Sequence, residues 1–373
     1  MKLKKPSIWP QLRELLLLLV DPLVSMIFAL ALGAVFIAAL GGNVSAAYHA
    51  LADGALGSSK SIAQTLISAT PLLFTALAFS IAYRAGVFNL GGEGQFYAGA
   101  ILGAWAGSAI TGFPAPVHIF LVILAGAVSG ALLGLIPAVL KAKRGVNEVI
   151  VCIMLNYIAI NVTNYLVSTN GPLRGGSTLP ATPYLQETAK LPTLLSGTRL
   201  TCGILIAAVF AVLVYIYMWK TRAGYKSRAV GLNAQAAQYG GIPTMRYAIL
   251  TMLIAGALAG IGGAVEIIAV HGRFYANFSS GYGFEGLAVG MLGGNHPFGI
   301  LLSSILFGAL KSGATAMQIQ ANTNAELVKV LQALVIFFIA CKWSIVNIIR
   351  NIHLKQTLRQ QSQTEKRAGG NSV

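Results

Sequence analysis

Acidic residues are scarce in this chain. Asp and Glu together account for 10 of its 373 residues, against 26 Lys and Arg, and charged residues of either sign make up only 10%. Apolar residues make up 56% and the mean hydropathy is +0.72, a composition that excludes an ordinary soluble domain. Gly, at 42 residues, is frequent enough to let helix backbones approach closely within a membrane. We therefore predict an all-α membrane protein, a polytopic helical bundle.

Motifs for catalysis, metal binding and nucleotide binding are missing as well. The three cysteines, Cys152, Cys202 and Cys341, lack the spacing of a metal site or a disulfide framework. The sequence contains neither an HExxH helix nor a GxxxxGK[ST] loop. We expect no enzyme activity and no cofactor in this chain. If transport by this protein uses ATP and Mg²⁺, a partner subunit binds them.

The net charge of +16 is concentrated in four basic clusters. They lie within residues 2–13, 141–144, 220–246 and 342–367. Even numbers of apolar segments separate the clusters, so all four face one side of the membrane, which the positive-inside rule identifies as the cytoplasm. The aromatic residues lie in apolar runs and do not alternate with these charges, so we expect no nucleic-acid binding.

Apolar runs of about 20 residues each indicate nine membrane spans: 23–40, 63–83, 96–112, 117–140, 149–166, 201–219, 247–270, 298–318 and 326–341. A short, glycine-broken tenth span at 282–294 is needed to place both basic termini on the cytoplasmic side. The prediction is thus about ten transmembrane spans with glycine-broken helices.

The predicted transmembrane domain covers residues 23–342. A cytoplasmic or interfacial N-terminus precedes it at 1–22, and a charged cytoplasmic tail with the composition of a disordered segment follows at 343–373. External loops at 41–62 and 167–200 are the largest on that side. The second is either a docking surface or a simple tether.

Residues 84–95 (RAGVFNLGGEGQ) place two charged side chains, two amides and four glycines between two apolar runs. Unpaired backbone is tolerated at membrane depth only where protein or a water-filled cavity surrounds it. This segment and the similar 280–286 (SGYGFEG), which hints at an internal repeat, are therefore predicted to line a pathway. The residues we assign to it here are Asn89, Glu93, Gln95 and Glu285.

The alternative for these ionisable residues is a structural one. Lys311, within the predicted span 298–318, is expected to form a packed ion pair or to extend towards the membrane surface. Glu93 either contacts solute or holds the break open by accepting backbone N–H bonds. The cost of an unscreened carboxylate beside a neutral ligand favours the second role for Glu93.

The predicted fifth span carries three amides, Asn156, Asn161 and Asn164. The second and third lie about 140° and 80° around the helix from the first, so all three fall on one side. Neutral hydrogen-bonding groups suit a pathway for a polar uncharged solute, to which we assign Asn156 and Asn164. The amides equally suit hydrogen bonding between helices.

Residues 228–243 (RAVGLNAQAAQYGGIP) predict a short capped helix on the cytoplasmic surface. Asn233 is a good N-cap, residues 234–239 favour helix, and Gly240, Gly241 and Pro243 end it. Such a helix can insert into a groove of a partner, or it can merely join two spans.

Three segments resemble one known family. Residues 82–95, 231–242 and 285–299 are similar to the permease subunits of bacterial ATP-binding cassette importers in the branched-chain amino acid and monosaccharide permease superfamily. Residues 88–95 (FNLGGEGQ) and the long Pro-rich external loop most resemble the larger permease of nucleoside importers of the basic membrane protein type. The resemblance extends over about residues 23–342.

The resemblance implies a multi-pass protein of the bacterial inner membrane that moves solute by alternating access within an assembly. The expected partners are a second, related permease forming a heterodimer, an extracytoplasmic solute-binding protein, a cytoplasmic ATP-binding subunit and membrane lipid. The residues expected to couple to the ATP-binding subunit are Gly231, Asn233, Ala236, Ala237, Tyr239, Gly240 and Gly241.

Nucleosides are the leading substrate class that the resemblance implies, followed by monosaccharides and then branched-chain amino acids. The sequence lacks dedicated charge partners for a zwitterion, which argues against the last class. An ion-coupled secondary transporter and a membrane-embedded enzyme remain rival interpretations. A transporter of the former kind also uses broken helices near the midplane.

Overall fold

The computed structural model describes residues 27–28, 30–39, 42–321, 330, 333, 334 and 337. The chain divides into two units, residues 1–41 with 325–373, and residues 42–324. In the first unit the structure describes an apolar helix, α1 (Leu30–Ala39). The predicted segments 1–22 and 343–373 lie outside the described residues, as does most of the predicted span 326–341.

The second unit is helical, and its described residues form no β-strand beyond two isolated bridges. This confirms the all-α prediction. Its α-helices are α2 (Val44–Leu56), α3 (Ser59–Arg84), α4 (Gly92–Ala109), α5 (Ala115–Arg144), α6 (Glu148–Leu166), α7 (Gly203–Tyr215), α8 (Arg222–Leu232), α9 (Ala234–Tyr239), α10 (Thr244–Glu266), α11 (Tyr282–Leu292) and α12 (Pro297–Gln320).

Six of these helices are long and apolar enough to cross a membrane. They are α3, α5, α6 and α12, together with α7 and α10, each of which continues into a π-helical turn, at Ile216–Lys220 and Ile267–His271. The predicted count of about ten is therefore not confirmed. Helices α1, α4 and α11 do not meet this criterion, and most of the last predicted span lies outside the described residues.

Helices α3 and α10 form the centre of the unit, whereas α5, α6 and α7 expose apolar faces. In α3, 94% of the most apolar window is buried. Glycines allow α10 to pack backbone to backbone on its neighbours. A Cβ added at Gly260 would overlap the carbonyl oxygen of Gly126 in α5, and one added at Gly99 in α4 would overlap Gly260. This is the close packing that small residues provide in membrane bundles.

The segment 41–62, predicted as an external loop, is not irregular, because α2 occupies most of it. The Asn43 side chain accepts a hydrogen bond from the Ala46 N–H and caps an Ala-rich run that favours helix. Ser312 of α12 donates its hydroxyl to the Gly54 carbonyl at 2.7 Å. Tertiary packing therefore adds to the helix propensity of this segment.

Helix α11 is too short to cross a bilayer alone. Its 11 residues extend about 16 Å, against a hydrocarbon core of about 30 Å. The Thr75 hydroxyl donates to the Tyr282 carbonyl at its start, and the Ser80 hydroxyl donates to the Asn295 carbonyl just beyond its end. The helix thus lies along the second half of α3, with residues 272–281 in irregular backbone before it.

The segment 167–200 is irregular, as predicted, except for a 3₁₀ turn at Glu187–Ala189. It is tied to the chain after α10 by backbone hydrogen bonds from the N–H groups of Thr182 to Phe274 and of Leu185 to Gly272. These bonds give it a fixed course over this end of the bundle.

Candidate functional site

The first break between helices is shorter than the sequence predicts. It covers residues 85–91, because α4 begins at Gly92 and includes Glu93 and Gln95 in its first turn. Gly86 leaves α3 with a φ of +74°, a left-handed conformation that Gly adopts without strain. Several of the other glycines serve close packing, so their density overstates the length of unwound backbone.

Asn89 and Gln95 hold the break from within. The Asn89 amide donates to the Gln95 side-chain oxygen at 3.0 Å, and the Gln95 amide donates back at 3.2 Å. The Asn89 oxygen also accepts from the Gly91 N–H at 3.0 Å. Both side chains are buried, so their hydrogen-bonding groups are directed at the break.

Asn156 stabilises the same break from a neighbouring helix, α6. Its side-chain oxygen accepts from the Gly94 N–H and its amide donates to the Leu90 carbonyl, both at 2.8 Å. One buried amide therefore satisfies two backbone groups that the break would otherwise leave unpaired.

Glu93 joins the first break to α11. Its carboxylate accepts from the Gly283 N–H at 2.6 Å, in the first turn of α11, where helix N–H groups lack intrahelical partners. A Cβ added at Gly283 would overlap the backbone of Glu93. This contact is the arrangement that a scaffolding role for Glu93 requires.

The second break comprises the irregular residues 272–281 and the first turn of α11, which includes most of the predicted segment 280–286. Glu285 in this turn forms a half-exposed ion pair. Glu285 of α11 accepts from the ammonium group of Lys311 in α12 at 2.9 Å. The ammonium also donates to the Ser280 hydroxyl at 2.7 Å and lies 4.0 Å from the centroid of the Tyr282 ring. The ion pair expected for Lys311 is thus present, and it brings charged, hydroxyl and aromatic groups together.

The three amides of α6 do not share one environment. Asn156 is buried, Asn161 is exposed and bonds to the Tyr157 carbonyl one turn back, and Asn164 is half-buried. The amide of Asn164 donates to the side-chain oxygen of Asn277 at 2.8 Å. The expectation of a single amide face is wrong, because a separation of about 140° is enough to turn Asn161 outwards.

The predicted short capped helix is present as α9. The Asn233 side chain accepts from the Ala236 N–H at 3.0 Å, and Gly241 ends the segment with a φ of +76°. The helix presents an exposed surface in which Tyr239 is 94% exposed and the preceding Leu232 is 89% exposed. Ala237 is buried against its own chain, and the sequence pattern does not reveal the exposed Leu232.

The base of this segment packs directly on the first break. A Cβ added at Gly231 would overlap the carbonyl oxygen of Arg84, and Gly86 lies against the Gly231 backbone. Beside this contact is a cavity of about 260 Å³ whose lining includes Val87, Lys141 and Ala234. The α8–α9 surface and the break are therefore neighbours, which sequence spacing could not show.

Among the described residues, no group of His, Cys, Asp and Glu could hold a metal ion. The site consists of hydrogen-bonding, aromatic and paired charged groups. Such groups suit solute binding and conformational change.

Comparison with known proteins places these features in one family. The model of the branched-chain amino acid transport system / permease component family matches residues 61–340. The guanosine ABC transporter permease protein NupP of Bacillus subtilis is 37% identical, over 88% of this chain and 94% of the relative. The nucleoside ABC transporter permease protein NupB of Lactococcus lactis is 39% identical, over 87% and 91%.

The glucose ABC transporter permease protein TsgB13 of Haloferax volcanii is 34% identical, over 85% of this chain and 86% of the relative. A further permease of each of the two bacteria above, NupQ and NupC, matches at 28% and 31% identity. No solved structure matches significantly. The chain belongs to the branched-chain amino acid transport system / permease component family.

Proposed function

We propose that this chain is the transmembrane permease subunit of an ATP-binding cassette importer for nucleosides. The observation that carries the proposal is the identity of 37–39% to a guanosine permease and a nucleoside permease over most of the chain. The chain is a multi-pass membrane protein and not itself an enzyme. ATP and Mg²⁺ belong to a separate subunit in this proposal.

The proposed topology has about ten spans with both termini in the cytoplasm. Thr75 contacts the start of α11 and lies about 14 Å along α3 from Arg84, the last residue of α3. This distance is about half the thickness of the hydrocarbon core. Helix α11 then crosses half of the membrane, and the irregular residues 272–281 cross the other half within protein, where such backbone is tolerated. The four basic clusters support this orientation.

The proposed contact with the ATP-binding subunit is the exposed surface of α8 and α9. Tyr239 and Leu232 are suited to act as its anchors, because their burial in a partner's groove would remove exposed aromatic and apolar surface from water. Asn233, Gly240 and Gly241 shape this segment, Ala236 is exposed beside the anchors, and Ala237 packs the helix onto its own chain.

The proposed second permease follows from the relatives. In Bacillus subtilis and Lactococcus lactis, two permeases named for the same substrate class both match this chain. We place the partner permease on a membrane face of this chain, and an extracytoplasmic solute-binding protein on the irregular outer segment 167–200.

The proposed solute contacts fall on the second break. Glu285 and Lys311 offer both an acceptor and donors while neutralising each other, which suits the hydroxyls of a neutral ribose. The Tyr282 ring provides an aromatic surface for a base, and the half-buried Asn164 bonds to Asn277 within the second break. Asn89, Glu93, Gln95 and Asn156 then hold the pathway's shape, because the bonds described above occupy them with protein partners.

The test uses a strain that lacks this chain, complemented with wild type or with the Leu232→Ser/Tyr239→Ser variant. Uptake of radiolabelled guanosine, glucose and leucine is measured, together with co-purification of the ATP-binding subunit. We expect guanosine uptake to require the wild-type chain, and the variant to lose both uptake and the ATP-binding subunit. Tyr184→Ser, an exposed tyrosine in the outer segment, is the matched control and should retain the ATP-binding subunit.

Each other outcome overturns a stated part of the proposal. Guanosine uptake without this chain contradicts nucleoside import. Loss of glucose uptake instead identifies a sugar permease, the function that the similarity to the glucose permease favours. Solute transport by the purified chain alone, driven by an ion gradient, would identify a secondary transporter.

A further inference from the structure

Two arginines from different helices converge on one tryptophan. Arg84, at the end of α3, has its guanidinium carbon 4.8 Å from the centroid of the Trp219 ring, and Arg228 of α8 has its own at 5.7 Å. Trp219 lies in the π-helical turn after α7. The ring of His296, in the turn between α11 and α12, is 4.8 Å from the same indole. We call these four residues the Trp219 cluster.

The positive charge of the Trp219 cluster has no carboxylate partner within the described part of the chain. The ion pairs there join Lys141 to Glu148, Lys190 to Glu187, His271 to Glu266 and Lys311 to Glu285. Arg84 donates instead to the backbone carbonyls of Asn295 and Gly294. These bonds satisfy donors without neutralising the charge.

Arg228 has a donor that no group in the described part of the chain satisfies. Its Nε atom is buried and lacks a hydrogen-bond partner. A buried unpaired donor, above all on a charged group, carries a penalty that a bound acceptor removes. Burial, and then the charge of Arg84, lowers the pKa of His296, so the net charge of the cluster comes from the two arginines.

An exposed apolar strip begins beside the cluster. The ring of Phe298 lies 5.7 Å from that of His296 and 5.2 Å from that of Tyr215. Phe298, Leu302 one turn further along α12, and Ile216, the first residue of the π-helical turn after α7, are all exposed. Charge at one end and an exposed apolar strip at the other match the amphipathic shape of a lipid.

We propose that the Trp219 cluster binds the headgroup phosphate of an anionic phospholipid at the cytoplasmic membrane surface, with an acyl chain along Phe298, Leu302 and Ile216. Arginine forks match phosphate oxygens, and basic pockets between transmembrane helices on the cytoplasmic side bind anionic headgroups. Trp219 holds both guanidinium groups by cation–π attraction and is itself suited to the interface. An acidic side chain of a partner protein would satisfy the charge but would leave the apolar strip uncovered.

The first test is lipid retention by the purified complete assembly, measured by native mass spectrometry after mixing with phosphatidylglycerol or phosphatidylcholine. We expect wild type to retain more phosphatidylglycerol than phosphatidylcholine. The ratio of the two retained lipids should be about fivefold lower for the Arg228→Gln chain. Arg222→Gln is the matched control, since it removes an exposed arginine from the first turn of the same helix and should change the preference by less than about twofold.

Equal retention of the two lipids by wild type, or the full preference in Arg84→Gln/Arg228→Gln, would overturn the proposal. An unchanged lipid preference combined with loss of the ATP-binding subunit in the double variant would assign the arginines to a protein partner. Because neither measurement uses solute, failure of this proposal is distinguishable from failure of nucleoside import.

The second test needs no change at the cluster itself. In a chain whose other tryptophans, Trp9, Trp105 and Trp343, are replaced by Phe, the fluorescence of Trp219 reports directly on bound lipid. Phosphatidylglycerol brominated near the headgroup should quench it more strongly than the matching phosphatidylcholine. Inorganic phosphate should not relieve the quenching. Equal quenching by both lipids, or relief by millimolar phosphate, would contradict a lipid site.

Discussion

The two glycine-rich breaks have similar compositions and opposite surroundings. In the first, Asn89, Glu93 and Gln95 are at most 4% exposed, and each is hydrogen-bonded to protein groups. In the second, the side chains of Glu285 and Lys311 are 22% and 20% exposed. A glutamate beside glycines therefore has no fixed role. The role of the glutamate depends on the group that its carboxylate contacts. That group is a backbone N–H for Glu93 and an ammonium group for Glu285.

The difference follows from the packing of α4 and α11. The first break is enclosed by Asn156 of α6 on one side and by Gly283 of α11 on the other. Helix α4 packs against one side of the second break, while the opposite side is half exposed. We expect changes in the first break to affect mainly stability, and changes in the second to affect mainly transport.

The largest effect is expected for Asn156→Leu. This change leaves the Gly94 N–H and the Leu90 carbonyl without their partner, and each buried orphan costs about 1–3 kcal/mol. The unfolding temperature of the detergent-solubilised chain should fall sharply, with uptake lost in parallel.

Asn161→Leu on the same helix is the control for Asn156→Leu. Asn161 is exposed and bonds only to the backbone one turn away, so its loss should change stability by less than about 0.5 kcal/mol. Equal stability of the two variants would contradict this comparison, because the first break would then not depend on the two hydrogen bonds of Asn156.

The next effect is expected for Gly283→Ala, which places a methyl group in the contact between the two breaks. The added Cβ meets the backbone of Glu93, and overpacking of this kind costs about 1–3 kcal/mol. The measurement is again thermal unfolding in detergent. Gly176→Ala, whose Cβ meets nothing within 4 Å, should be neutral, and similar losses in both would mean that the breaks are not joined there.

A smaller effect on stability, with a large one on transport, is expected for Glu285→Gln. Half-exposed pairs contribute about 0–1 kcal/mol to stability, but loss of a charge-assisted bond to solute should lower uptake about tenfold. Glu187→Gln breaks an exposed pair in the outer segment and controls for the lost charge. Wild-type nucleoside uptake in Glu285→Gln would remove the second break from the pathway.

The smallest effect is expected for Asn164→Ala. It removes the bonds to the Asn277 side chain and N–H, at a cost of about 1 kcal/mol or less because water can replace them at this partly exposed position. Uptake at limiting solute should fall by a few-fold while the unfolding temperature hardly changes. A stability loss as large as that of Asn156→Leu would show that Asn164 at the second break contributes as much to stability as Asn156 does at the first.

Local signals predicted local structure well. Asn233, the alanines after it and Gly240–Gly241 predict a short capped helix, and α9 is that helix, because capping depends on neighbours in sequence. A break between two helices was correctly predicted within residues 84–95, although it covers only residues 85–91. The end of the break at Gly91 could not be predicted, since Gly92 and Gly94 serve close packing against Gly283 and Asn156.

Contacts between distant residues could not be predicted from the sequence. Asn156 bonds to backbone more than sixty positions away, and hydrogen-bonding capacity alone left its role open. The same holds for Ala237, which was expected at a partner contact and is buried against its own chain. Helix α2 was missed because its sequence favours helix without resembling a full membrane span.

The backbone contact between Gly231 and Arg84 makes a stiff joint. A side chain at an interface can change rotamer and absorb a displacement, but two backbones in contact have no such compliance. Under the coupling proposed above, a displacement of α9 would therefore be transmitted directly to the end of α3, and Asn89 lies only five residues beyond that end. If this contact transmits movement in the importer, the end of α3 moves as far as α8 does. A single methyl group added at residue 231 would overlap the Arg84 carbonyl oxygen and disrupt this contact.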